Sequence, residues 1–355
     1  MKQNCVQVIV LLALLLNCFA CGKKQYRFEY NNQAEALTWP NSQQNAKIQY
    51  LGVIQGESNF VEIEDSEGFV SKSFSWLGKT LFGDAAQQGF YRPQSGYFDN
   101  TLNRLYVTDV GSKSVFIFDL TNNNLDIWEG TDELNNFISP IAVCGIENNV
   151  YVSDAELGYV AKFSVNGELK SIVGEAELTR PTGLACDVKT KKVYVADSQR
   201  HKIMVFDDLD NFIEEFGAKG SVNGKFNSPT HLSIRDNKLY ISDTLNARVQ
   251  IFSTKGKWLQ SFGKRGMIVG NLPRPKGIAL DSDNHIYVIE SFYDYMLIFN
   301  QKGQALLPVG GRGSSPGQFY LPAGIWIDAK DRIYVADMFN KRVAVFQYLK
   351  NNAMN

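Results

Sequence analysis

The string PTHLSIRDNKLYISDTLNARVQIFSTKGKWLQSFG occupies residues 229–263 and contains four short runs in which apolar and polar side chains alternate. Such alternation is typical of half-buried β-strands, and the Asp, Asn, Gly and Lys residues between the runs are typical of turns. No run of helical periodicity interrupts the four. This stretch therefore predicts a unit of four antiparallel strands.

The same unit occurs six times along the chain. One acidic residue marks each copy, and successive marks are 43 to 47 residues apart. These six anchor acids are Asp109, Asp154, Asp197, Asp243, Glu290 and Asp337. A four-stranded unit with this period predicts an all-β fold, a six-bladed β-propeller.

The two ends of the chain predict how the ring closes. The last copy ends near residue 349 and lacks a fourth strand of its own, whereas residues 47–54 alternate like a strand but have no partner nearby. We expect residues 47–54 to complete the last blade, because this pairing removes two exposed strand edges. The propeller is predicted to span residues 47–349, followed by a tail at 350–355.

Several copies resemble NHL repeats. Pro-Lys-Gly-Ile-Ala at 275–279, Asn-Ala-Arg-Val at 246–249 and Tyr-Val-Ala-Asp at 334–337 carry the resemblance, whereas the second copy has Ala142 where glycine is expected. The layout over about residues 47–349, with Leu-Thr-Trp-Pro at 37–40, is similar to six-bladed NHL-type lipoproteins of bacteria. Such lipoproteins are often encoded near multihaem cytochromes or export systems, which implies an envelope or surface protein as partner.

Residues 1–20 have the features of an export signal. The apolar run Val8–Leu16 is too short to span a bilayer, and Ala-Cys-Gly at 20–22 resembles a lipoprotein cleavage site that would leave Cys21 lipidated. Cys18 departs from the Leu usual at its position, and a signal without lipid is the alternative. No Asp follows Cys21, which favours the outer membrane by analogy with bacterial lipoproteins.

Residues 21–46 are polar and predict a flexible tether with a reach of roughly 25–30 Å. A weak helical stripe at 69–82 predicts either a cap on the ring or a connecting loop.

The propeller itself contains two cysteines. Cys144 and Cys186 lie in the innermost strands of adjacent copies but one repeat position apart. Opposite strand faces are therefore expected, which predicts buried free thiols rather than a disulfide. The chain contains no Cys-x-x-Cys-His motif, so no c-type haem and no other cofactor is predicted.

Charge excludes one class of partner. The formal net charge is −1, and no basic block or aromatic-basic stripe indicates nucleic acid. The sequence predicts a monomeric propeller.

The anchor acids are interpreted as structural. Three of them precede a base by five residues, as in the pairs Asp197 and Lys202, Asp243 and Arg248, and Asp337 and Arg342. This spacing predicts a carboxylate that caps a turn and pairs with that base, and a repeated pair indicates structure rather than catalysis. Gly-rich stretches at 217–220, 263–266 and 310–313 predict turns with positive φ at blade junctions.

Histidine content argues against a zinc enzyme. A related amidated-peptide lyase propeller holds zinc with three histidines. Here His201 is predicted in an outer loop, His285 in the Asp283-Asn284 turn and only His231 near the central channel. Other propellers, of lactonase type, hold calcium with Glu, Asn and Asp. The comparable inner positions here are Ala142, Gly183, His231, Gly277 and Gly324, which predict an open channel without a carboxylate cage.

No catalytic or metal-binding residue is therefore predicted. The candidate residues of the channel and its lip are His231, Lys276, Arg180 and Arg274.

Aromatic departures from the repeat predict a binding surface. Phe292, Tyr293, Tyr295 and Phe339 fall on loops of adjacent copies, and Tyr159 stands where a base is usual. Clustered exposed aromatics suit a protein interface, and the alternative is that some fold inward.

The sequence thus predicts a non-catalytic, lipid-anchored propeller that binds another envelope protein, and the resemblance implies that this partner belongs to a redox or export assembly. The alternatives are a calcium-type hydrolase or lyase with its site in the channel, and a carbohydrate-binding module.

Overall fold

The computed structural model of this chain describes residues 25–32, 37–41, 45–63, 88–130 and 136–350. The predicted export signal, Cys21, the stripe at 69–82 and residues 351–355 lie outside these ranges. Within the described ranges no helix is long and apolar enough to cross a membrane.

Five blades are antiparallel sheets of four consecutive strands, with the first strand of each innermost. Their strands are β5 Pro93–Asp99, β6 Arg104–Asp109, β7 Ser114–Asp119 and β8 Asn124–Trp128 in blade one; β9 Pro140–Ile146, β10 Asn149–Asp154, β11 Tyr159–Ser164 and β12 Leu169–Val173 in blade two; β13 Pro181–Asp187, β14 Lys192–Asp197, β15 Lys202–Asp207 and β16 Phe212–Phe216 in blade three; β17 Pro229–Arg235, β18 Lys238–Asp243, β19 Arg248–Ser253 and β20 Trp258–Phe262 in blade four; and β21 Pro275–Leu280, β22 Ile286–Glu290, β23 Tyr295–Phe299 and β24 Ala305–Gly310 in blade five.

The sixth blade contains both ends of the ring. It consists of β25 Ile325–Ile327, β26 Arg332–Asp337 and β27 Arg342–Tyr348, with the N-terminal strand β3 Ile48–Ile54 paired to β27 from Ile54 opposite Val343 to Ile48 opposite Tyr348. The predicted closure by the N-terminal strand is therefore present in the structure. A six-bladed propeller with four-stranded blades confirms the fold prediction.

Short elements decorate the ring. Beyond β3, the two-residue strand β2 (Thr38–Trp39) extends blade six, and β1 (Tyr26–Phe28) pairs with β4 (Phe60–Glu62) in a separate ribbon. Three-residue 3₁₀ turns occur at Glu57–Asn59, Thr244–Asn246 and Met338–Asn340.

Part of the predicted flexible tether is packed. Trp39 lies edge-on to Phe346, with 5.7 Å between ring centroids, and Phe28 packs against Phe60 and Phe118. The prediction of a free coil over 21–46 is wrong for residues 25–32 and 37–41, because these aromatic side chains find apolar partners at the edge of the ring.

The blades stack front to back around the ring. One Tyr per blade is fully buried at the same repeat position, and these residues are Tyr106, Tyr151, Tyr194, Tyr240, Tyr287 and Tyr334. Each core cluster combines side chains of neighbouring blades, as where Tyr194 and Ala185 of blade three pack with Leu232 of blade four. The hydroxyl of Tyr194 donates to the carbonyl of Thr254 in blade four at 2.9 Å, which ties the blades together.

The two propeller cysteines form a disulfide, so the prediction of free thiols is wrong. Cys144 of β9 and Cys186 of β13 have their Cα atoms 5.8 Å apart. They do lie on opposite faces of their blades. In the strand register Cys144 is paired with Tyr151, whereas Cys186 is paired with Val193, the residue before the equivalent Tyr194. Because blades stack front to back, opposite faces of neighbouring blades are the ones that meet.

Candidate functional site

One end of the disc, the upper face, consists of the loops that precede each innermost strand and the loops that join second to third strands. The anchor acids lie buried beneath this face and accept hydrogen bonds from its loops. Asp109 is fully buried, and its carboxylate accepts the backbone N–H groups of Tyr91 and Arg92 from one loop and of Gly111 and Ser112 from the other. These donors occupy the carboxylate, so its role is to hold the two loops together.

Two of the three predicted acid–base pairs form. Arg248 Nε lies 2.8 Å from Asp243 Oδ2, and Arg342 Nε lies 2.8 Å from Asp337 Oδ2. In both copies an Asn amide two residues before the Arg also donates to the acid. Burial nevertheless raises the pKa of Asp337 and outweighs its hydrogen bonds and the charge of Arg342.

The third predicted pair is wrong. Lys202 pairs with Glu215 of the outer strand, and the Asp197 carboxylate accepts backbone N–H groups of Gln199 and Arg200. The turn after Asp197 lacks the Asn-x-Arg side chains of copies four and six, so its own amides take their place. Glu290, the departure in copy five, is held likewise by the N–H groups of Arg274, Phe292 and Tyr293.

The Gly-rich stretches have the predicted conformation. Gly217, Gly263 and Gly310 have φ between 91° and 94° at equivalent positions where the outer strands end. At Gly217 and Gly310 an added Cβ would also meet a Phe ring, so these residues serve the turn and its packing.

Exposed apolar side chains concentrate on the upper face of blades four, five, six and one. Met267 and Ile268 are 86% and 78% exposed and, with Val269, form an uninterrupted apolar run on one loop. We call the whole set the apolar patch; its members are Val222, Leu245, Met267, Ile268, Val269, Phe292, Tyr320, Phe339 and Tyr91. Exposed apolar side chains concentrated on one face mark candidate interaction sites in soluble proteins.

Cations lie over three of the four aromatic members of the patch. Arg274 lies over Phe292 at 5.7 Å from the ring centroid, and Arg312 lies over Tyr320 at 5.4 Å. Lys341 of blade six lies 4.4 Å from the ring centroid of Tyr91 in blade one. These contacts hold the rings in place and leave the cations exposed beside apolar surface.

Charge is divided across the upper face. Among the described residues of its loops in blades four, five, six and one, the exposed ionisable side chains are all basic: Arg92, Lys113, Lys219, Lys225, Lys264, Arg265, Arg274, Arg312 and Lys341. The loops of blades two and three carry acids at the surface, namely Glu129, Glu156, Glu175 and Glu177. The apolar patch therefore lies in the basic part of the face.

The structure brings only some of the predicted interface residues together. Phe292 and Phe339 are 54% and 47% exposed in the patch, and Tyr293 is half-buried against Phe292. Tyr295 and Tyr159 each begin a third strand and pack partly into blade cores, with Tyr159 distant in blade two. Their rings add little to the exposed surface because the strand directs them into the blade interface.

The predicted lip residues also separate. Arg180 pairs with Glu156 at 2.9 Å beside blades two and three, whereas Arg274, Lys276 and His231 lie at blades four and five.

Three of the small inner positions that were expected to face the channel face the neighbouring blade instead. A Cβ added at Gly183 would lie 2.6 Å from the carbonyl oxygen of Thr230, and one at Gly324 would lie 2.3 Å from that of Gln94. At Gly277 the nearest atom, 2.6 Å away, is the nitrogen of Ile325. These glycines point at the neighbouring blade and let the innermost strands pack closely. Within the described ranges no group of three or more His, Cys, Asp or Glu residues could hold a metal ion.

Sequence reasoning missed Tyr91, Tyr320 and the run Met267–Val269. All lie in loops that precede an innermost strand, and the repeat places those loops on the same face as Phe292 and Phe339. An apolar run of three residues inside a loop is itself a sequence signal, since loops are usually polar.

Comparisons with known proteins support the fold. A family model described as a 6-bladed beta-propeller matches residues 221–295 and 278–350. No curated protein matches the chain significantly.

Solved structures with the same fold differ widely in sequence. A catalytically inactive virginiamycin B lyase from Staphylococcus aureus is 11% identical with a TM-score of 0.55, over 73% of this chain and 95% of that one. Auxiliary nutrient binding proteins from Bacteroides thetaiotaomicron and Bacteroides ovatus are 12% and 16% identical with TM-scores of 0.59 and 0.54. They cover 75% and 74% of this chain and 71% and 70% of their own. At these identities the likeness shows the architecture alone: the chain is a six-bladed β-propeller.

Proposed function

We propose that this chain is an exported, lipid-anchored propeller that binds another envelope protein through the apolar patch and catalyses no reaction. The carrying observation is the patch itself, which contains Met267 and Ile268, the two most exposed large apolar side chains of the described residues. Protein interfaces bury such anchors at their centre and surround them with charge.

Charge indicates the partner's chemistry. The exposed cations beside the patch, such as Arg274 and Lys341, favour a partner surface with carboxylates around apolar side chains. By the resemblance to NHL-type lipoproteins, this partner belongs to a redox or export assembly of the bacterial envelope, and Cys21 anchors the propeller near the outer membrane.

The disulfide supports export. A bond between Cys144 and Cys186 persists in an oxidising compartment, whereas cytosolic reductants keep most such thiols reduced.

A crosslinked pull-down from native envelopes tests the proposal. The bait is the lipidated protein, and the variant carries Ile268→Ala, Phe292→Ala and Phe339→Ala. We expect one protein to be recovered with the wild type, less with the variant, and less at high salt because screening weakens charge complementarity.

The matched control is Val188→Ala, Leu209→Ala and Phe212→Ala, which removes exposed apolar side chains of blade three away from the patch. Equal recovery with the patch variant, or equal loss with the control variant, would reject the patch as the binding surface.

A second candidate is a nutrient-binding module. Exposed Tyr91, Tyr320 and Phe292 offer rings on which sugars stack, and two of the structural neighbours are named auxiliary nutrient binding proteins. Glycan-array binding that is lost in the same patch variant, without recovery of a protein, would favour this candidate.

A further inference from the structure

Two polar side chains on neighbouring innermost strands each keep a functional atom without a hydrogen-bond partner among the described residues. His231 is the second residue after Pro229 in β17, and Lys276 directly follows Pro275 in β21, the neighbouring innermost strand. His231 is paired with Ser242 of β18 in the strand register, and Ser242 Oγ donates to the carbonyl of Lys276. This contact joins blades four and five at the position of the two side chains.

His231 is unusual for its place in the repeat. The equivalent position is glycine in blades three, five and six, where an added Cβ would collide with the next strand. Blade four places a whole imidazole there. Because blades three, five and six pack without any side chain at this position, the imidazole of His231 is not required for blade packing.

A chain of hydrogen bonds fixes the tautomer of His231. Thr244 Oγ1 donates to the carbonyl of Pro275 at 2.8 Å, so it accepts from Thr230 Oγ1, which lies 2.6 Å away. Thr230 Oγ1 has then used its proton and accepts from His231 Nδ1 at 3.0 Å. Nδ1 therefore carries the imidazole proton, and Nε2 presents a lone pair.

Neither of the remaining functional atoms is satisfied. His231 Nε2 is buried and has no hydrogen-bond partner, and the Lys276 ammonium makes no hydrogen bond or ion pair with any residue in the described ranges. An unsatisfied buried acceptor costs free energy, which a ligand that donates to His231 Nε2 and also accepts from Lys276 would recover.

The charges around the pair keep the imidazole neutral. Burial, with a smaller effect of Lys276, lowers the pKa of His231 to about 3, and burial lowers the pKa of Lys276, with Arg274 adding to it. The pair therefore offers one neutral acceptor, and a bound anion would favour the protonated, donating form of Lys276.

We propose that His231 and Lys276 form a binding site for a small oxyanion that also carries a hydroxyl group. An anionic oxygen would accept from Lys276 Nζ, while the hydroxyl would donate to His231 Nε2. Hydroxy acids and monohydrogen phosphate share this chemistry. The site is independent of the apolar patch and requires no protein partner.

Calorimetric titration of the whole protein with four probes tests the site. Glycolate and inorganic phosphate carry both groups, acetate lacks the hydroxyl, and ethylene glycol lacks the charge. We expect at least one of the first two to bind about tenfold or more tightly than acetate, and ethylene glycol not to bind. Whichever of the two binds more tightly identifies the source. No binding of either, or acetate binding equally well, would overturn the proposal.

Variants locate the binding. Lys276→Met keeps the aliphatic stem and should weaken binding about tenfold or more, whereas Lys276→Arg keeps the charge and should retain part of it. Lys264→Met removes an exposed cation of the same face and should change nothing. Unchanged affinity in Lys276→Met, or equal loss in Lys264→Met, would show an adventitious ion only.

Imidazole nitrogen NMR gives a second readout that does not depend on calorimetry. The chain has three histidines, so their signals are few. We expect the tightest-binding probe to shift one Nε2 signal. That signal should be the one that is missing from the spectrum of the His231→Asn variant. A shift only in His201 or His285 would contradict the site.

Discussion

Cys144 and Cys186 lie on opposite faces of neighbouring blades and are nevertheless joined, with their Cα atoms 5.8 Å apart. The bond links the innermost strands of blades two and three across a separation of 42 residues. It is a crosslink between repeats rather than within one. Repeats of a ring contact mainly their neighbours, so a crosslink there ties the stability of two blades together.

We predict that Cys144→Ala with Cys186→Ala lowers the free energy of unfolding by about 2–4 kcal/mol, since the crosslink restricts a loop of this length in the unfolded chain. Denaturant unfolding with and without reductant measures the change. Reductant should destabilise the wild type and leave the double variant unaffected. Two reactive thiols in the folded, non-reduced protein would contradict the prediction.

The repeat made the blades predictable because one period contains a complete four-stranded unit whose turns follow from its own residues. The closing strand was also predictable, since residues 47–54 and the incomplete last copy each lacked a partner. The anchor acids fall at the same strand ends in every copy, which is why their buried, turn-holding position follows from the sequence.

Contacts between blades were harder to predict. The sequence places Cys144 and Cys186 on faces, but which faces meet depends on front-to-back stacking, a property of the assembled ring. Likewise, the cation over Tyr91 is Lys341 of the previous blade in the ring, 250 residues away along the chain. Gly183 likewise suggests open space when blade three is considered alone, but the backbone of blade four occupies that space.

The pH dependence of stability should carry a contribution from His231. Its folded-state pKa of about 3 lies below the unfolded value, so this contribution is complete above the unfolded pKa and is lost as the pH falls from there towards 3. Between pH 7 and pH 5 the loss is about 2 kcal/mol. Lys276 of blade five, itself facing Arg274, is the charged group that acts on the ring.

Urea unfolding at several pH values compares the wild type with His231→Asn, in which the side-chain amide still donates to Thr230. The variant should lose this acid sensitivity. His285→Gln is the control with the opposite sign, because a hydrogen bond to Asp281 raises the pKa of His285 and its contribution is lost as the pH rises. Parallel curves for the wild type and His231→Asn would refute the buried neutral imidazole.

An anchor acid that pairs with the base five residues later should show a larger coupling energy in a double-mutant cycle than one that does not. Asp337 and Arg342 are buried and joined, so replacing both with Ala should reveal a coupling energy of about 1–3 kcal/mol. Asp197 and Lys202 have the same spacing, but Lys202 pairs with Glu215, and we expect coupling below about 0.5 kcal/mol. Equal coupling in both cycles would mean that spacing, not the Asn-x-Arg turn, governs the pairing.

Truncation should separate the closing strand from the segment packed beside it. Removing residues 1–45 deletes the aromatic contacts of Trp39 and Phe28 but keeps β3, and we expect a folded protein that is less stable by about 2–5 kcal/mol. Removing residues 1–54 also deletes the buried side chains of Ile48, Tyr50, Val53 and Ile54. At about 1.5–3 kcal/mol each, that loss is comparable with the whole stability of a typical domain.

Both truncations lack the predicted lipid anchor, so their difference reports on β3 alone. Thermal unfolding and amide hydrogen exchange of β27 are the measurements, because the amides that pair with β3 lose their partners only in the longer truncation. We expect the longer truncation to aggregate or fail to fold, since it exposes an unpaired strand edge in blade six. If it melted like the shorter one, closure of the ring by the N-terminal strand would contribute nothing to stability.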